Sequence, residues 1–285
     1  MEKIEILMDA TELDCFQRCA CEFNMRHNWS KVPPETAKPL DIGGVFHVGF
    51  DHYYQALKEN KPWDSAVQLG LVGIRRALPL SDLGSSDGDR ILEVFEENTE
   101  YWRVADLSFR IELTESAFTY VLFENDQFRI SMSGKVDLVV TDNIYTNLPV
   151  DHKTYSRDFP VNRLSNQFIN YCNATESNFI MINRVGLQTS LKPKDKYKRI
   201  MLSYDPYYIE QWRQNVIVWA MRYIDCVQTG NWEMNPQSCV RYGRLCDYYD
   251  VCDTSGQENK EYKLNTNFKS AEKWDVSKIL EEIKE

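Results

Sequence analysis

The chain has 285 residues, 43% hydrophobic and 13% aromatic, which is enough for a sizeable core; seven Trp and sixteen Tyr exclude a disordered chain. A formal net charge of −10 argues against nonspecific wrapping of nucleic acid by the whole surface, although a local basic stripe or bound cations can still serve an acidic protein. No apolar run is long enough to span a bilayer and the first residues lack a secretory apolar stretch, so the expectation is a cytoplasmic, intracellular protein.

In chain order, Ala10–His27 reads as a first helix, with Thr11 placed to cap it and Leu13, Phe16, Phe23 and Met25 as apolar positions. Lys31–Pro39 is a proline-containing loop. Asp41–Leu57 reads as helical despite Gly43, Gly44 and Gly49. The small residues just before His47 suit a close approach to a site, whereas His52 reads as a surface residue. Trp63–Leu78 and Asp87–Val104 are further helices, the second with Ile91, Leu92, Val94, Phe95, Tyr101 and Trp102 on a helical period. Leu107–Leu113 and Phe118–Glu124 read as two strands.

Ser133–Tyr155 is the most informative stretch. Ile130–Val140 and Tyr145–Lys153 have extended patterns, and Thr141-Asp142-Asn143 between them is turn chemistry. A hairpin brings Asp137 towards Asp151. Side chains two apart on a strand share a face, so Asp151 and Lys153 point together and His152 points away. Two carboxylates suit a hard divalent cation, and a lysine beside them can orient water or balance charge on a phosphate. Asn162–Cys172 reads as a helix on which Gln167 and Tyr171, four apart, share a face.

Asn178–Thr189 and Tyr197–Tyr204 read as strands. Between them lies the most basic stretch, with Lys192, Lys194, Lys196, Lys198 and Arg199 around Tyr197. It reads equally as an arm that touches nucleic-acid phosphates or as a soluble hairpin tip. Pro206–Thr229 is a strong helix ended by Gly230.

Eight cysteines in an intracellular chain are ligands, core residues or free thiols more readily than disulfides. Cys172 and Cys226 fall in helical patterns and read as core. Cys239, Cys246 and Cys252 lie within fourteen positions, with Gly243 permitting a turn. A closed zinc site or a 4Fe–4S cluster needs a fourth ligand. Cys19 is the best candidate, with Cys15 and Cys21 close by. Thr254–Phe268 reads as a polar tether, and Ala271–Lys284 as a short amphipathic helix for docking or oligomer contact, using Trp274, Ile279, Leu280 and Ile283.

Taken together, Gly44-Val-Phe-His47, Gly-Lys-Val-Asp137, Val-Asp151-His-Lys153-Thr and Gln167-Phe-Ile-Asn-Tyr171 resemble the PD-(D/E)XK nuclease superfamily, and its RecB-type branch in particular. Phe16, Cys19 and Phe23 fit the opening helix of that branch, although Ala20 stands where a proline often follows the cysteine. One cysteine before the core and three after it resemble its iron–sulfur members, which include AddB-type helicase–nucleases, CRISPR-adaptation nucleases and phage-type exonucleases. Six residues separate Cys239 from Cys246, more than in the CXXC common there, which leaves room for zinc.

The resemblance implies an α/β fold with a restriction-endonuclease-like core, a central mixed β-sheet flanked by helices, a helical N-terminal part and a cysteine-ligated cluster joining the two ends. It implies one nuclease domain over 1–253, with a helical part at about 10–105, a core at about 106–230, a cluster segment at 236–253 plus Cys19, and a tail at 254–285. The implied activity is that of a DNA exonuclease dependent on Mg²⁺ or Mn²⁺, with a structural 4Fe–4S cluster, in recombination, repair or phage DNA processing. Asp137, Asp151, His47 and the His152 carbonyl are the implied metal ligands. Lys153 positions the attacking water or stabilises the pentavalent phosphate, and Gln167 and Tyr171 orient Lys153 or the strand being cut. Cys19, Cys239, Cys246 and Cys252 hold the cluster. A DNA substrate is expected, together with either a homo-oligomer or a partner recombination protein, and no membrane. The alternatives are an inactive DNA-binding or assembly subunit of the same fold and a zinc-clipped nuclease.

Overall fold

Local rules account for most of the elements. The computed structural model describes residues 3–35, 38–188, 190–241 and 243–272. Strand β1 (Ile4–Asp9) leads directly into helix α1 (Ala10–Arg18). The cap of α1 is Asp9 rather than Thr11: its side chain accepts the Glu12 N–H at 2.7 Å, and the Glu12 carboxylate accepts the Asp9 N–H at 3.2 Å. The expected helix Ala10–His27 is interrupted at Cys19, whose extended backbone separates α1 from α2 (Ala20–Phe23) and the π-helical turn Asn24–Asn28.

A two-residue strand β2 (Lys31–Val32) precedes α3 (Lys38–Lys58), α4 (Trp63–Ala77) and α5 (Ser85–Ser108). The two strands expected at Leu107–Leu113 and Phe118–Glu124 are one, β3 (Arg110–Glu124), which starts later than expected because α5 runs on to Ser108. Within it Glu115 has φ +41°, a left-handed backbone that L-residues rarely adopt. Then follow β4 (Phe128–Thr141), β5 (Leu148–Tyr155), α6 (Asn166–Ala174), β6 (Phe179–Gly186), the single turn α7 (Pro193–Lys196), β7 (Tyr197–Ser203) and α8 (Pro206–Thr229). Beyond α8 come β8 (Val240–Arg241), β9 (Arg244–Leu245), α9 (Tyr249–Cys252), α10 (Gln257–Asn267) and β10 (Lys269–Ser270). The stretch read as a tether is therefore largely helix α10. The helix expected at Ala271–Lys284 lies outside the described residues from position 273 onward.

The central sheet is mixed, in the order β1-β4-β5-β6-β7 with β3 also on β4. Strands β1 and β4 are parallel, β4 and β5 antiparallel, β5 and β6 parallel, and β6 and β7 antiparallel. Two compact units form, each from separate chain segments.

Residues 36–118 and 135–209 make the first unit. Its core joins Phe46, Phe50, Tyr53 and Tyr54 of α3, Leu71 and Ile74 of α4, Val94 and Phe95 of α5, and Leu138, Val140 and Val150 of the sheet. The glycines that matter for packing are not Gly43 and Gly44, where a Cβ meets nothing closer than 3.8 Å. Gly70 matters instead: a Cβ there would lie 2.5 Å from the Phe95 ring and 2.9 Å from the Gly49 carbonyl, so α3 and α4 meet closely only through glycine.

Residues 1–35, 119–134 and 210–285 make the second unit. Here Phe16 and Phe23 pack against Trp219, Tyr223 and Trp232, with Cys226 buried among them as expected. A smaller cluster joins Met25, Tyr248, Val251 and Leu264. No helix among the described residues is long and apolar enough to cross a membrane.

Candidate active site

Strands β4 and β5 pair from Leu138↔Val150 to Val140↔Leu148 and then part. The next two residues across this fork are Asp137 and Asp151. Oδ2 of Asp137 accepts the backbone N–H of His152 at 2.8 Å, so a side chain takes over the ladder where the strands separate. Asp151 is fully buried. Its Oδ1 accepts from Lys153 Nζ at 2.8 Å, while its Oδ2 has no hydrogen-bond partner among the described residues.

Helix α3 brings His47 to the same fork, with Nδ1 3.6 Å from Asp137 Oδ2 and 3.2 Å from Glu115 Oε1. His47, Glu115 and Asp137 each offer a ligand atom, and these atoms lie within 4.8 Å of one another. Glu115 is the residue that sequence reasoning missed. Its unusual backbone turns one carboxylate out of a strand where nothing in the local pattern marks it. Lys135 Nζ pairs with its other oxygen at 2.5 Å.

The electrostatics follow from burial among like charges. Burial, with Asp151 adding to it, pushes the Asp137 carboxyl up to about 7. Burial alone would lower the His47 imidazole, but Asp137 and the hydrogen bond to Glu115 outweigh it and raise its pKa. Burial disfavours the ionised form of Glu115, yet His47 and Lys135 bring its pKa below the usual range. For Lys153, Asp151 and Asp137 overcome burial and keep the ammonium charged. This donor set fits a divalent cation: hard oxygens, one imidazole, and a buried carboxylate oxygen left without a partner, an arrangement that is costly unless something binds it.

Lys153 is oriented by a chain of hydrogen bonds. Gln167 Oε1 accepts from Nζ at 3.0 Å, Gln167 Nε2 donates to the Tyr171 hydroxyl at 3.0 Å, and that hydroxyl donates to the Lys135 carbonyl at 2.6 Å. His152 points away, as its strand position requires. It stacks on Phe50 with ring centroids 4.2 Å apart and on Tyr54 at 5.6 Å, and burial holds its pKa well below the ordinary value. His52 lies apart from this site, with Nδ1 2.9 Å from the Val48 carbonyl.

The basic stretch after β6 is divided between buried and exposed side chains. Lys196 is buried against Glu97, and the Arg199 side chain, 8% exposed, pairs with Asp106 at 2.5 Å. Neither is available as an exposed phosphate contact, which corrects that part of the arm reading. Lys192 and Lys194 are exposed, and Lys198 pairs with Asp158.

Seven of the eight cysteines belong to the second unit, five of them, Cys19, Cys21, Cys239, Cys246 and Cys252, lie on adjoining segments, and all eight are free thiols. Cys21 Sγ and Cys252 Sγ are 3.9 Å apart. The Cys246 N–H donates to the Cys239 carbonyl at 2.8 Å, and the Asn235 N–H donates to Cys19 Sγ at 3.5 Å while Cys239 Sγ lies 3.8 Å from the Asn235 carbonyl.

No curated protein matches the chain. Among solved structures, a candidate exonuclease from Eubacterium rectale is similar, with a TM-score of 0.51 and 13% identity over 88% of this chain and 90% of that one. A second, that of SSO0001, matches at a TM-score of 0.34 and 12% identity over 76% and 78%. The first likeness is one of fold. The model of the PD-(D/E)XK nuclease superfamily matches residues 8–253, and the chain belongs to that superfamily.

Proposed function

We propose that the protein is a metal-dependent DNA exonuclease that hydrolyses phosphodiester bonds at the fork between β4 and β5. The observation that carries this reading is the convergence of His47, Glu115 and Asp137 beside Asp151, whose Oδ2 has no partner, and Lys153. His47, Glu115, Asp137 and Asp151 would hold Mg²⁺ or Mn²⁺, with the His152 carbonyl as a further oxygen. When bound, the cation polarises a phosphoryl oxygen and lowers the pKa of water.

The chain's own residues supply the rest. Asp151 holds Lys153 charged, and the Gln167–Tyr171–Lys135 chain limits its rotation. The ammonium is thus fixed where it can hold a water or balance charge that grows on the phosphate. Exonuclease action is supported by the likeness to the Eubacterium rectale protein.

The cysteines support a structural 4Fe–4S cluster that closes the long loop between Cys19 or Cys21 and Cys239, Cys246 and Cys252. A tetrahedral zinc with Zn–S bonds near 2.3 Å needs its sulfurs about 3.8 Å apart. The 3.9 Å between Cys21 Sγ and Cys252 Sγ matches that spacing, which keeps the zinc-clipped form as the second reading. Free thiols suit a reducing, cytoplasmic setting, and DNA recombination, repair or phage DNA processing are the roles such an enzyme serves.

A time course on end-labelled and circular DNA with Mg²⁺, Mn²⁺ or chelator tests the reading. Metal-dependent release of label from linear DNA with circles left intact is expected. Absence of cleavage under all conditions would mark the chain as an inactive DNA-binding or assembly subunit. Iron and sulfide analysis after anaerobic purification tests the cluster, and stoichiometric zinc without iron contradicts it.

A further inference from the structure

Lys153 is not the only cation on its face of the sheet. It is the register partner of Arg184 on β6, and Arg184 is the partner of Lys198 on β7. Cross-strand partners point to the same side, so the three side chains form a row with strand spacings of about 4.8 Å.

Arg184 is unusual within that row. It is only 4% exposed, and its guanidinium lies over the rings of Tyr155 at 4.5 Å and Phe159 at 4.8 Å. Its Nε has no hydrogen-bond partner among the described residues, and its Nη2 sits 2.8 Å from Asp158 Oδ1 without hydrogen-bond alignment. A buried guanidinium with unused donors is costly. Lys198 Nζ donates to the other oxygen, Asp158 Oδ2, at 3.1 Å. One exposed carboxylate thus bridges two cations with its two oxygens, as the oxygens of a phosphodiester would. Asp158 lies on the connection between β5 and α6, directly after the strand that carries Asp151 and Lys153. Beside it Phe159 is 46% exposed, which leaves ring surface for a nucleobase.

We propose that Arg184 and Lys198 form a subsite for a phosphate of the nucleic-acid strand next to the scissile bond, that Asp158 fills it when no nucleic acid is bound, and that the phosphate displaces Asp158 on binding. Phe159 stacks a base at the same place. The inference rests on the nuclease reading and adds a strand-binding subsite to it. Two cations against one carboxylate leave the subsite net positive, so a phosphate competes with Asp158 on favourable terms.

The test uses the full chain and a fluorescent single-stranded oligonucleotide. Binding is read by anisotropy with chelator present, over a series of salt concentrations, and cleavage is read separately with Mg²⁺. Asp158→Asn removes the competing charge and is expected to tighten binding about fivefold. Lys198→Gln is expected to weaken it several-fold and to make the log–log salt slope shallower by about 0.7, the loss of one single-strand phosphate contact. Both positions are partly or fully exposed, and thermal melts verify folding. Binding by both variants within twofold of the wild type, with unchanged slopes, overturns the subsite. Weaker binding by Asp158→Asn also overturns it, because Asp158 would then be a clamp and not a competitor. Wild-type cleavage alongside such results leaves the nuclease reading standing, whereas a wild type that neither binds nor cuts DNA overturns both.

Discussion

The backbone N–H of His152 donates to Oδ2 of Asp137 at 2.8 Å, at the point where β4 and β5 stop pairing. One carboxylate thus holds the fork in shape and also presents an oxygen to the proposed cation. The two tasks need different chemistry. The fork needs only an acceptor, whereas the cation needs a charge.

Asp137→Asn and Asp137→Ala should therefore separate them. Asparagine keeps an acceptor and removes a buried charge, so the metal-free protein should be at least as stable as the wild type in urea. Alanine leaves the buried His152 N–H without a partner and should cost about 1–3 kcal/mol. Both variants should lose stabilisation by added Mn²⁺. Equal stability of the two variants would contradict the structural half of this assignment.

Metal binding should also depend on pH with a definite sign. The Asp137 carboxyl sits at about 7, mainly because of burial. Below that pH it is protonated and a cation must expel the proton; above it the ligand is already ionised. The rise in Tm caused by Mn²⁺ should accordingly be small at pH 6 and larger at pH 8. Glu115→Gln should reduce the rise at both pH values. A metal-induced shift that does not change between pH 6 and 8 would argue against Asp137 as a ligand.

The hydrogen-bond chain behind Lys153 makes a kinetic prediction. Tyr171→Phe leaves the Lys135 carbonyl and the Gln167 amide each short of a partner. Loosening Lys153 by about 1–1.5 kcal/mol corresponds to roughly a tenfold fall in kcat. The KM for DNA should stay within twofold, because Tyr171 is only 4% exposed. A rise in KM with kcat unchanged would instead make Tyr171 a substrate contact.

Much of the site was legible from residue spacing. Alternation on β5 separated Asp151 and Lys153 from His152, and the four-residue interval on α6 put Gln167 beside Tyr171. These are local periodicities, fixed by strand and helix geometry. Glu115 was not legible, because its place depends on a left-handed backbone inside β3, and no residue type at that position announces it. The basic stretch misled for a related reason. Lys196 and Arg199 look like surface charge in the sequence, but their partners Glu97 and Asp106 are about a hundred positions away on α5. Strand β1 was overlooked because the charged residues Glu5 and Asp9 break up a short apolar run.

Asp106 and Arg199 form a buried pair, with Tyr53 and Tyr54 donating to the carboxylate at 3.1 and 3.3 Å and Trp102 stacked on the guanidinium at 4.5 Å. Arg199→Met strands Asp106 without its counter-charge and should cost about 3–5 kcal/mol in urea unfolding. Changing Asp106 to Asn in the same chain should recover part of that loss. A cost below about 1 kcal/mol for Arg199→Met would show that the pair does not hold α5 to the sheet.

The central claim is that Asp151 and Lys153 act together with a divalent cation to cleave a phosphodiester. Cleavage of an end-labelled oligonucleotide with Mg²⁺, by the wild type, Asp151→Asn and Lys153→Ala, tests it most directly when folding is followed by circular dichroism. The expected result is cleavage by the wild type that chelator abolishes, and none by either folded variant. Undiminished metal-dependent cleavage by either variant would contradict the account.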